Sequence, residues 1–166
     1  MIHLATVELA SSASSIDFTN LPDSEDFIMY VKLQNNDNAN LVYIQLNGRT
    51  GEEYKVNYRD MATGGSVSTS TGFQDYYKFK GAGRTADSSN DYWVGEIKFL
   101  QSASDSFNYR KIISFEGGIT HENDTRANVF GMGLNASFTQ ATNRITFVNA
   151  TYAAGCVVSL YQRVKS

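Results

Sequence analysis

Apolar and polar positions alternate along most of the chain, and a period of two is the mark of a strand with one buried face. Ile2 to Leu9 opens with it, and Ile16-Asp-Phe-Thr resumes it after the polar turn at 11–15, so the two are expected to form a hairpin. The turn chemistry of Asn20 to Asp26, with the single proline, comes next. Phe27 to Leu33 and Leu41 to Leu46 flank the Asn/Asp-rich run 35–40 and are expected to pair as a second hairpin, because Asn and Asp suit tight turns. Glu53 to Arg59 alternates aromatic and polar residues. The stretches 61–72 and 81–91 are rich in Gly, Ser and Thr and read as two long surface loops around a short strand, Phe73 to Phe79. Tyr92 to Leu100 places Trp93, Ile97 and Phe99 on one face. Tyr109 to Phe115 is a strand expected to break at Gly117-Gly118, and Asn128 to Phe138 a long one whose Gly131 and Gly133 suggest a bulge or a close backbone neighbour.

The last stretch organises the rest. Ile145 and Phe147 alternate with Thr146, the chain turns at Gly155, and Cys156 to Val164 forms a final strand. Cys156, Val158 and Leu160 point one way, and Val157, Ser159 and Tyr161 the other. With apolar residues on both faces, this strand is expected inside a sheet, covered on each side, and paired with a strand far back in sequence. No segment sustains a 3.6-residue apolar period. Short strands separated by turns predict an all-β, single-domain antiparallel β-sandwich over residues 1–166, most simply a jelly roll.

Composition narrows the function. The chain has 166 residues, enough to bury roughly 70% of its unfolded surface without staples. A net charge of −3 argues against a nucleic-acid partner. One cysteine excludes an intrachain disulfide or a cysteine zinc cluster, and Cys156 is expected as a small buried hydrophobe. No apolar run approaches the ~20 residues of a membrane span, and the N-terminus lacks the basic and apolar regions of a signal peptide. The chain is therefore expected to be made in a cytoplasm, and the sequons at Asn123, Asn135 and Asn149 are discounted.

Candidate chemistry is sparse. His121-Glu122 lacks a second histidine four residues on, so His121 is expected as a solvated loop residue. Glu52, Glu53, Glu116 and Glu122 are the carboxylates from which a glycosidase pair would be drawn, but adjacent Glu52 and Glu53 point to opposite faces. Asp23, Glu25 and Asp26, and the run Asp87 to Asp91, hold oxygen ligands without completing a calcium loop. No catalytic residue, metal site or cofactor is expected. Tyr76, Tyr77, Tyr92 and Trp93 are the candidate binding residues, for a subunit interface or for stacking on sugar rings. Trp93 shares the period of Ile97 and Phe99 and fits a core better than a platform; of Tyr76 and Tyr77, one is expected to be exposed.

Three motifs carry a resemblance. Ala154-Gly-Cys-Val-Val-Ser-Leu-Tyr161 resembles the C-terminal signature of a group of small tailed-bacteriophage virion proteins, with Cys156 where Ser is usual and Gln162-Arg163 in place of Gly-Ile. Ser15-Ile-Asp-Phe-Thr-Asn-Leu-Pro22 is similar to a phrase near their start, and Ile44-Gln-Leu-Asn-Gly48 followed by Tyr54 to one between. The resemblance implies a virion component. A chain that starts at its first strand, without heptads or a collagen-like stem, suits a capsid decoration (cement) protein. The resemblance then implies a homotrimer bridging major capsid subunits on the shell surface, assembled in the host cytoplasm. Ile2 to Leu9 and the Gly/Ser/Thr loops are then candidate contacts. The alternative is a tail fibre or receptor-binding adhesin recognising host surface glycan, and a third possibility is a glycan hydrolase.

Overall fold

The computed structural model describes residues 1–22, 26–36, 41–50, 54–61, 67–74, 76–80, 92–101, 111–120, 129–135 and 141–164. Its strands are β1 (Ile2–Glu8), β2 (Ile16–Phe18), β3 (Asp26–Leu33), β4 (Leu41–Leu46), β5 (Tyr54–Met61) and β6 (Val67–Gln74), followed by β7 (Tyr77–Lys80), β8 (Tyr92–Gln101), β9 (Lys111–Thr120), β10 (Val129–Asn135), β11 (Ile145–Val148) and β12 (Val157–Arg163). They form two antiparallel sheets, one of eight strands in the order β1-β12-β3-β8-β9-β10-β5-β6 and one of four in the order β2-β11-β4-β7. The expected all-β sandwich is the fold observed.

The core lies between the sheets. From the large sheet come Phe27, Met29, Val31 and Leu33 of β3, Trp93, Ile97 and Phe99 of β8, Ile113 and Phe115 of β9, and Val158 and Leu160 of β12. From the small sheet come Ile16, Phe18, Val42, Ile44, Leu46, Tyr77, Ile145 and Phe147. In β2, β3 and β12 the core residues fall at every second position, as the pleat requires, while β11 buries Thr146 as well, between Ile145 and Phe147. Burying a side chain of this size stabilises the fold by roughly 1.5–3 kcal/mol before entropy is counted.

Pairing departs from sequence order. Neither expected hairpin forms: β1 pairs with β12 and β2 with β11, while β3 pairs with β12 and β8 and β4 with β11 and β7. The reason is topological. Successive strands from β1 to β4 alternate between the sheets, so each connection crosses the sandwich instead of folding back within a sheet. The C-terminal strand does pair far back in sequence, between β1 and β3. Only one of its faces is buried, through Val158 and Leu160; Val157, Ser159 and Tyr161 are half-exposed, so nothing covers that side within the described residues.

Three further expectations are corrected. Much of the first Gly/Ser/Thr stretch is strand: Val67–Gln74 runs the length of β5 in continuous register, since Val67, Thr69, Thr71 and Phe73, at every second position, are residue types that suit a pleated surface despite the intervening Ser. The expected strand Phe73 to Phe79 divides, with Gln74 ending in the large sheet and Tyr77 beginning in the small one. Glycine does not break β9, which runs through Gly117 and Gly118, and β10 passes Gly131 and Gly133 in unbroken register with both neighbours.

Gly117 explains itself by position. It lies directly opposite Gly95 on β8, and the Trp93 indole packs over the pair on the core side. A Cβ on Gly117 would sit 2.5 Å from Trp93 Cζ2, and one on Gly95 2.8 Å from its ring and 2.7 Å from the Gly117 Cα. The two glycines make the recess that lets the largest side chain of the core lie against the sheet backbone.

Candidate functional site

The residues of the three resembling motifs hold the frame. In the first, Ile16, Phe18 and Leu21 are buried and Asn20 takes a left-handed φ of 56°. Asp17 points outward and accepts hydrogen bonds from Thr146 Oγ1 (2.7 Å), Arg144 Nε (3.0 Å) and Arg144 Nη2 (2.5 Å). Burial pulls the Asp17 carboxyl up, but the bonds from Thr146, Arg144 and Ser15 and the arginine charge outweigh it and hold the pKa below its ordinary value.

In the second, Asn47 and Gly48 turn the chain with φ of 53° and 66°. The Asn47 amide clasps the approach to β11, donating to Ala141 O (2.8 Å) and accepting from the N–H groups of Asn143 (2.9 Å) and Arg144 (3.0 Å). Tyr54 is buried and its hydroxyl closes the same corner, accepting from Leu46 N at 3.0 Å, with Leu46 O and Arg49 O each 3.3 Å away as acceptors. In the third, Gly155 takes a φ of 81° and donates to Leu9 O (2.7 Å), and the Cys156 thiol is buried against Gln34. Burial pushes that thiol up, away from the thiolate form.

The four sequence-derived candidates do not meet. Tyr77 and Trp93 are core residues with no exposed surface. Tyr77 packs edge-on against Tyr54, with ring centroids 4.8 Å apart, and burial drives its hydroxyl far above the ordinary tyrosine value. Tyr76 is half-exposed; it meets Tyr43, which points away from the core on the small sheet, and accepts from Asn149 Nδ2 at 2.7 Å. Tyr92 points outward from the large sheet with Lys32 Nζ 4.0 Å above its ring. One concave patch of Tyr76, Tyr77, Tyr92 and Trp93 is therefore excluded: two lie between the sheets and two on opposite outer faces. The pleat decides this, because neighbours in a strand point apart.

The outer face of the large sheet holds the more organised surface. Tyr161 stands between His3 and Tyr30, edge-on to both, at centroid distances of 5.1 and 5.6 Å. Thr6 and Ser159 join hydroxyls at 2.9 Å beside them, and His3 Nε2 lies 2.9 Å from Thr6 Oγ1. Tyr30 donates its hydroxyl to the Glu96 carboxylate, which raises its pKa. Lys98 Nζ binds Glu96 Oε1 at 2.5 Å, and that hydrogen bond and charge raise the lysine. Tyr30 and Val94 nevertheless remain 43% and 47% exposed. Next to them runs a groove of about 620 Å³ lined by Tyr30, Lys32, Val94, Glu96, Glu116 and Ser159. Sequence reading passed over Tyr30, although the alternation of Phe27, Met29, Val31 and Leu33 places Tyr30 and Lys32 on the opposite face.

Of the expected carboxylate candidates, Glu116 lines this groove, directly across β8 and β9 from Glu96. Glu52, Glu53, His121, Glu122, Asp23, Glu25 and the run 87–91 lie outside the described residues, as do the loop 81–91 and the Phe73 side chain. Among the described residues, no three His, Cys, Asp or Glu side chains gather to hold a metal, and no helix is long and apolar enough to cross a membrane. Comparison with protein-family models, with curated proteins and with solved structures finds no match.

Proposed function

We propose that the chain is a bacteriophage virion structural protein, a capsid decoration subunit that docks on the shell through the outer face of its large sheet. The observation that carries this is the pre-ordered aromatic surface there: Tyr30, Tyr161 and His3 fix one another's rings while Tyr30 and Val94 stay exposed. Aromatic groups already held in place lose little entropy on docking, and tyrosine is enriched at interfaces. The resemblance to small tailed-phage virion proteins supplies the setting, and its motifs coincide with side chains that brace the sandwich.

Jelly-roll connectivity is part of the reading. Without the paired insertions β5-β6 and β9-β10, the strand order leaves β1-β12-β3-β8 facing β2-β11-β4-β7, two four-stranded sheets between which successive strands alternate except at β4-β7, a pair within the small sheet, and this supports it. In this account the partners are the major capsid protein and further copies of the chain in a trimer, the location is the virion surface after assembly in the host cytoplasm, and no reaction is catalysed. Virions labelled with an antibody to the chain test the reading. Label spread over the head in many copies is expected; label confined to the tail end overturns it.

A second reading, host-glycan binding, draws on the groove. An exposed tyrosine beside carboxylates and a serine hydroxyl offers the apolar face and polar edge that a sugar ring presents in return. Binding of purified host polysaccharide to the isolated chain, lost in a Tyr30→Ala variant, is its test.

A further inference from the structure

We infer that the groove on the large sheet receives a cationic side chain, lysine or arginine, presented by the neighbouring shell subunit, with Glu116 as its principal partner. The inference rests on the docking role proposed above and names the chemistry that the docked partner must offer.

Charge is the first observation. Glu96 and Glu116 face each other on adjacent strands, a placement that costs stability because like charges directly opposite repel. Lys98 and the Tyr30 hydroxyl both engage Glu96, so that carboxylate is satisfied within the chain. Glu116 is exposed and feels Lys98 only at a distance, through its charge. Lys32, the other cation of the groove, sits over the Tyr92 ring. Lys32 lies on β3, two strands from Glu116, and balances the formal charge of the groove as a whole; among the described residues, the Glu96–Lys98–Glu116 cluster itself carries one net negative charge, and a cation beside Glu116 would offset it.

The second observation is the wall. Val94 stands exposed near Glu116, and the Tyr30 ring stands exposed across β8 from it, so a long aliphatic stem ending in a cation would meet apolar surface along its length and a carboxylate at its tip. The same face already contains an intramolecular version of such a contact, the Lys32 ammonium 4.0 Å above the Tyr92 ring. The Gly95 backbone floors the groove, and the single tryptophan, Trp93, lies against that glycine from the core side.

The test is rebinding of the full chain to shells that lack it, with copies per particle measured over a titration. Glu116→Gln removes one negative charge from the groove, and Thr19→Lys makes the same net change at an exposed position beside the small sheet. Glu116→Gln is expected to weaken rebinding about tenfold and Glu116→Lys further, while Thr19→Lys rebinds as the unaltered chain does. Thermal unfolding accompanies the assay: the Glu116 variants are expected to melt at or above the unaltered chain's temperature, since the opposed pair is relieved. Equal rebinding by Glu116→Gln and Thr19→Lys overturns this inference and leaves the docking role standing. Failure of the unaltered chain to bind shells at all overturns both. A Trp93 fluorescence change on adding host polysaccharide, abolished by Glu116→Gln, assigns the groove to a glycan and also overturns the inference.

Discussion

The two faces of β8 teach more than any two strands of the molecule. Trp93, Gly95, Ile97 and Phe99 look into the core, where each shape depends on its neighbour: the indole fits only because two opposed residues have no side chain. Tyr92, Val94, Glu96 and Lys98 look outward, where they form rings, ion pairs and a groove that no other part of the described chain requires for packing. The first face is held by exclusion of volume and the second by optional polar contacts, so damage to them should have different consequences. Changes to the inner face should unfold the chain. Changes to the outer face should leave it folded and alter what it binds.

The largest effect is expected at the recess. Gly117→Val drives a branched side chain into the Trp93 ring and should cost about 3 kcal/mol or more in urea unfolding. Trp93→Ala leaves a cavity instead and should cost about 3–5 kcal/mol. Because the two share one space, the double variant should lose clearly less than the sum, and strict additivity would disprove the interlock.

Next is the corner closed by Tyr54. Tyr54→Phe deprives the buried Leu46 N–H of its acceptor and should cost about 1–3 kcal/mol by the same assay. An unchanged stability would mean that the hydroxyl is not needed to hold the turn.

A smaller, pH-dependent effect belongs to Asp17. Its folded pKa is depressed, so its contribution is complete above the unfolded value near 3.8 and is lost as pH falls through the folded value below it. Asp17→Asn should therefore be less stable at neutral pH by a modest amount, and its stability should fall less steeply than the unaltered chain's in acid below about pH 4. Parallel profiles would show that Arg144 and Thr146 do not favour the charged form.

The smallest effects on stability are expected outside. Val94→Ala should change stability by no more than about 0.5 kcal/mol, since half its surface is already in water. A larger loss there would erase the contrast between the faces.

Sequence made the inner face legible and the outer face nearly invisible. Trp93, Ile97 and Phe99 share a parity and are buried as that parity implies; Cys156, Val158 and Leu160 behave likewise. What alternation does not carry is which strand lies beside which. Hairpins are the shortest solution and predict that chain neighbours such as β3 and β4 pair, yet from β1 to β4 each connection crosses the sandwich. Glycine was ambiguous for a related reason. Gly117 reads as a break along its own strand, and its purpose becomes visible only when Trp93 arrives from the strand beside it. Read as one strand, the stretch 73–79 makes Tyr77 a surface candidate, whereas the chain changes sheets between Gln74 and Tyr77. Tyr30 was overlooked in a strand that reads as mostly apolar, though its register opposes four buried neighbours.

Side-chain footprinting on assembled particles tests the central claim, that the large sheet's outer face is where this protein docks. Hydroxyl radicals oxidise exposed tyrosines, and peptide mass spectrometry compares the free chain with the chain on the virion. Tyr30 and Tyr161 should be oxidised in the free chain and protected on the particle, while Tyr43 and Tyr76, on the small-sheet side, should react alike in both. Protection of Tyr43 and Tyr76 with Tyr30 and Tyr161 unchanged would contradict the account and move the docking surface to the other sheet.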